Sequence, residues 1–139
     1  MYNSKNSLYI ISAISAIEKI IIYSNEFVSA DDFLNSNNQM NFNGTITLLI
    51  AIAEETKKID IKLLETQQQI QWQNIVDMRN VLAHNYRGID PEIVFDVIKN
   101  ELHKLKIAYI QILLNLPIET VSEILGTNQY KHLKHLFNG

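Results

Sequence analysis

The chain has 139 residues, enough for one domain with a real core, and its 47% hydrophobic and 19% charged content excludes a disordered polymer. It has no cysteine, which excludes disulfides, zinc–thiolate sites and cysteine nucleophiles and suits a reducing, cytoplasmic setting. A net charge of -3 excludes a general polyanion binder and confines any nucleic-acid contact to a local patch.

Only 4 Gly and 2 Pro punctuate the chain, which favours long helices over a sheet rich in turns. Ile10, Ile14, Ile17 and Ile21 recur at helical spacing, with Leu8, Ile11 and Ile20 widening the stripe. Ser12, Ser15, Glu18 and Lys19 interrupt that apolar run, so it reads as a bundle helix ending near Ser24, not a signal peptide or a membrane span. Ser29 is an expected N-cap for a short helix with Asp31 and Asp32 in its first turn. A second long helix, NGTITLLIAIAEETKKI, is apolar at Ile46, Leu49, Ile50 and Ala53 and turns polar at Glu54, Glu55, Lys57 and Lys58. Those two glutamates read as a solvated face. A connector with one helical turn follows.

The third helix runs from about Gln71 toward His84, with Ile75, Met78 and Leu82 as its buried stripe, Val81 beside them and Trp72 in the core. Gly88 is expected to end it in a left-handed conformation. Asp90 and Pro91 then read as N-cap and first residue of a fourth helix, which continues to about Asn115 before Pro117 breaks it. Four amphipathic helices with short connections predict an all-α, antiparallel four-to-five-helix bundle over residues 1–115. Residues 116–139 form a short helical C-terminal extension, hinged at Gly126 and packed on or flanking the bundle. Its outline is that of a helix-turn-helix, with no more specific motif behind it. Lys131, His132, Lys134 and His135 make a basic patch there, either a solvated face or a contact for RNA phosphate.

The polar chemistry gathers in DMRNVLAHNYRG, Asp77 to Gly88. On an ideal helix Asn80 and His84 share a face, and Arg79 and Tyr86 nearly eclipse, but Arg79 and His84 point about 140° apart. A site using both needs either a bend near His84 or a second copy of the chain facing the first across a two-fold axis. Arginine forks onto phosphate oxygens, and histidine titrates near neutrality as acid or base. Asn80 would hold a phosphate oxygen or orient the imidazole. Together they suit cleavage of RNA, whose 2′-hydroxyl is a built-in nucleophile. No metal is required, and His103, His132 and His135 are too dispersed to read as ligands. On spacing alone, an arginine and a histidine five residues apart are commonplace on a helix surface.

Arg79-Asn80, then His84, then Tyr86, resembles the R-x4-H-x-Y signature of HepT-like toxins in the HEPN superfamily. The flanks resemble that family too: Trp72, Ile75 and Met78 before the signature, and Gly88, Asp90, Val94, Phe95, Val97 and Leu102 after it. Ile52–Glu55 resembles the family's I-G-E-A segment, with Ala53 in place of glycine, and Gln71 stands where a proline is common. The resemblance spans Leu8 to Ile112 and omits the tail. It implies a HEPN-like bundle that dimerises and a metal-independent endoribonuclease toxin of a type VII-like toxin–antitoxin pair, with no cofactor. Arg79 and His84 would be catalytic in a cleft between protomers, and Asn80 a supporting polar residue. Tyr86 would be the site at which an MNT-type nucleotidyltransferase antitoxin attaches AMP. The alternative is a non-catalytic HEPN subunit that binds nucleotide or docks a nucleotidyltransferase.

Overall fold

The computed structural model describes residues 4–137, with Tyr86 described by its backbone alone. Among these residues there is no strand. Helix α1 (Asn6–Ser24) is the spine: Ile10, Ile11, Ile14, Ile17 and Ile20 are fully buried, and the helix packs against three later ones. By length and composition it could cross a membrane, yet 56% of its most apolar window is covered by the rest of the bundle. Burial on that scale is what a core helix shows.

Polar clamps fix both ends of α1. Buried Asn6 donates from Nδ2 to Asp60 Oδ2 at 2.9 Å and accepts from the Asp60 backbone N–H at 2.9 Å. At the other end Lys99 Nζ donates to the Ser24 carbonyl at 3.0 Å, placing a cation where the helix dipole is negative.

Helix α2 (Ala30–Asn35) starts as its sequence dictates: Ser29 Oγ accepts from the Asp32 N–H at 3.1 Å. Asn37, Asn38 and Gln39 then take left-handed backbone angles, φ 49°, 56° and 71°. Asparagine tolerates that region better than most residues, and the tight turn swings the chain into α3 (Met40–Lys58). Helix α3 lays Ile46, Leu49, Ile52 and Ala53 into the core. The connector forms one helical turn, α4 (Ile61–Leu64), before α5 (Trp72–His84).

Helix α6 (Pro91–Asp96) is capped by Asp90, whose Oδ1 accepts from the Glu92 N–H at 2.9 Å. The fourth long helix of the sequence reading is not uniform. A π turn over Val97–Glu101 joins α6 to α7 (Leu102–Leu113). After Pro117, α8 (Ile118–Leu125) and a 3-10 turn at Lys131–Leu136 complete the tail. Val121, Leu125, Tyr130 and Leu133 belong to the same buried cluster as the α1 isoleucines, so the tail closes over the bundle.

Gly88 does not take the left-handed conformation expected of it. The end of α5 is satisfied by Asn85 instead, which donates both its N–H and its Nδ2 to the Val81 carbonyl, at 3.2 and 3.1 Å. A 3-10 turn at Tyr86–Gly88 then leads away.

Candidate active site on the fifth helix

Helix α5 packs chiefly on α3. Leu82 is its buried residue, while Trp72, Ile75 and Met78 are half-buried against the core. Val81, expected beside that stripe, is 56% exposed. The reason is angular: Val81 lies about 100° around the helix from Leu82, beyond the edge of the face that packs on the core.

Trp72 anchors the start of α5. Its Nε1–H donates to the Gln67 carbonyl at 3.0 Å, and its ring lies 5.5 Å from that of Tyr109. Tyr109 is wholly buried. Its hydroxyl bonds Thr56 Oγ1, which itself donates to the Ile52 carbonyl at 2.7 Å. Burial pushes the Tyr109 phenol well above the usual tyrosine range, the Thr56 contact opposing the shift.

The motif side chains are not used to hold this packing. Arg79, Asn80 and His84 are all exposed. His84 is the last residue of α5, and its imidazole has no hydrogen-bond partner among the described residues. Arg79 lies on the flank nearest α3. Its Nε–H donates to Glu54 Oε1 at 3.0 Å, and Nη1 donates to Asn80 Oδ1 at 3.2 Å. Within this chain Asn80 thus meets the arginine and not the imidazole. Glu54 is exposed, as expected of a solvated face, and its pairing with Arg79 is what sequence reasoning missed. Its place in the segment resembling I-G-E-A was the available signal.

Arg79 and His84 are not brought together within one chain. The α-helix persists through His84 and bends only at Asn85, one residue too late to swing the imidazole toward Arg79. The angular divergence of about 140° therefore stands. The same bend takes the Tyr86 backbone off α5 into a 3-10 turn, so the ideal-helix alignment with Arg79 does not apply there. The Tyr86 side chain lies outside the described residues. A groove of about 460 Å³ does open between the end of α7, α8 and the tail, but neither Arg79 nor His84 lines it.

A match to the ribonuclease HepT-like family covers residues 10–112, a span that contains Arg79, Asn80, His84 and Tyr86. The chain belongs to this family. Its all-α bundle is accordingly of the HEPN type, and the tail lies beyond the matched span. Three relatives from Methanocaldococcus jannaschii carry RNase names. One, named as both a gamma-glutamylcyclotransferase and a candidate RNase, is 27% identical over 99 residues, 71% of this chain and 43% of that protein. Another, named as a candidate RNase, is 31% identical over 70 residues, 50% of this chain and 64% of that protein. A third, similarly named, is 27% identical over 86 residues, 62% of this chain and 69% of its own length. This HepT-like chain thus spans less than two thirds of the first two relatives. No solved structure matches it.

Proposed function

We propose that this HepT-like chain is a metal-independent endoribonuclease, working in the cytoplasm as the toxin of a toxin–antitoxin pair. The observation that carries the reading is the exposure of Arg79, Asn80 and His84 on a helix that is held in place by other residues. An exposed cation with donors to spare and an exposed imidazole fit phosphodiester cleavage. The 2′-oxygen bonds to phosphorus as the bond to the 5′-oxygen breaks. One proton leaves the 2′-hydroxyl and one reaches the leaving oxygen, and His84 serves one of those transfers. Arg79 offsets charge on the crowded phosphate.

The divergence of Arg79 and His84 supports a cleft shared by two protomers, in which a second α5 supplies the facing wall. RNA would lie between the two copies. In the same reading an MNT-type nucleotidyltransferase partner attaches AMP to Tyr86, which sits at the bend two residues past His84. A bulky anion there would block the cleft by size and by charge. The alternative, a non-catalytic subunit that docks a nucleotidyltransferase, shares the fold and the partner but needs no cleavage. Expression separates the two. Growth arrest that disappears with His84→Ala supports the nuclease, and arrest that persists with that substitution refutes it.

A further inference from the structure

Glu54 takes no part in the chemistry proposed above, yet it makes the sole hydrogen bond and ion pair from α3 to the motif arginine among the described residues. Its carboxylate meets Nε while Asn80 meets Nη1. Arginine has five N–H donors in a rigid plane. Two are engaged, and the other three, at Nη1 and Nη2, have no protein acceptor among the described residues. The two acceptors sit on different sides of the plane's perimeter, so they fix its rotation as well as its position. Both Nη2 donors and one Nη1 donor are thus left to meet phosphate oxygens.

We infer that Glu54 is a positioning residue: it holds the Arg79 guanidinium by its Nε side so that the Nη end is presented to the scissile phosphate. This rests on the nuclease reading of the motif and adds a residue to it. The pair is exposed, with about half of each side chain open to solvent, 46% for Arg79 and 49% for Glu54. An ion pair so open adds little to stability. Its effect is conformational. It biases a long, rotamer-rich side chain toward one orientation, which lowers the cost of ordering it when the substrate binds. A carboxylate beside the cation would otherwise only weaken the pull on RNA, so holding and competing make opposite predictions.

The test compares wild type, Glu54→Ala and Glu54→Gln in cleavage of a defined RNA, alongside thermal unfolding. Glutamine keeps an oxygen acceptor for Nε without the charge. Positioning predicts that Glu54→Ala lowers kcat by about tenfold, the scale of a misplaced catalytic group, with KM within about twofold and Tm unchanged. Glu54→Gln should recover most of what alanine loses. Wild-type kcat in Glu54→Ala, or a raised kcat/KM as for a removed competitor, overturns the inference while leaving the nuclease reading intact. If the wild type itself does not cut RNA, the nuclease reading fails and the nitrogen-15 NMR signal of Arg79 Nε–H decides about Glu54. A protected signal that is lost in Glu54→Ala supports the hold, and a signal unaffected by the substitution overturns it.

Discussion

The Trp72 ring lies against Tyr109 with centroids 5.5 Å apart and planes inclined at 47°, so the first residue of the motif helix is fixed to the buried floor of the bundle. Trp72→Ala should therefore cost roughly 2 kcal/mol, less than the 3–5 kcal/mol of a fully buried tryptophan, because the ring is only half-buried. Cleavage should fall with it, since α5 loses its anchor. Urea unfolding checks the first part. A loss below about 0.5 kcal/mol, the level of an ordinary surface change, would show that α5 is held elsewhere.

The Tyr109–Thr56 pair predicts an asymmetry. Tyr109→Phe leaves Thr56 still donating to the Ile52 carbonyl, so the cost is about 1 kcal/mol. Thr56→Val strands the Tyr109 hydroxyl in the core and should cost more, up to about 3 kcal/mol. Equal losses in the two variants would contradict this bonding scheme.

The same tyrosine predicts an alkaline limb. Its folded pKa is raised, so the unfolded chain loses this proton first. The contribution to stability is thus fully present below the unfolded pKa, near ~10, and is lost as pH rises from there toward the folded value. Denaturant titrations above that pH should fall more steeply for wild type than for Tyr109→Phe. Parallel curves would contradict the prediction.

The proposed control through Tyr86 has its own signature. Incubation with the cognate nucleotidyltransferase and ATP should add the mass of adenylate to the wild type and none to Tyr86→Phe, whose toxicity should persist beside the partner. Inhibition of an unmodified wild type would instead point to neutralisation by partner binding alone.

Local rules made much of this architecture legible. The Ser29 cap and the Asp90–Pro91 start each follow from neighbours within a few residues, and each stands where the sequence places it, as does the end of α1 at Ser24. The exposed state of Val81 was not legible, because periodicity shows that a helix has an apolar face and not how many neighbours will cover it. The left-handed run at Asn37–Gln39 and the π turn at Val97–Glu101 carry only weak local signals, a pair of asparagines in the first case. The Glu54–Arg79 contact joins residues 25 apart in sequence, and no spacing rule reaches that far.

The shared cleft can be tested by mixing. Arg79→Ala and His84→Ala homodimers should each be inactive, while heterodimers regain one intact cleft if the two residues come from different chains. A fully active monomer in sedimentation measurements would refute the composite site.

The most direct test of the account is cleavage of a defined RNA by purified, unmodified protein in excess chelator, comparing wild type with Arg79→Ala and His84→Ala. Both residues are exposed, so each substitution should shift stability by less than about 0.5 kcal/mol and leave the helical circular dichroism unchanged. The account predicts cleavage by the wild type at a rate the chelator does not alter, and none by either variant. Full activity in either variant, or a wild-type activity that vanishes with chelator and returns with added metal, would contradict it.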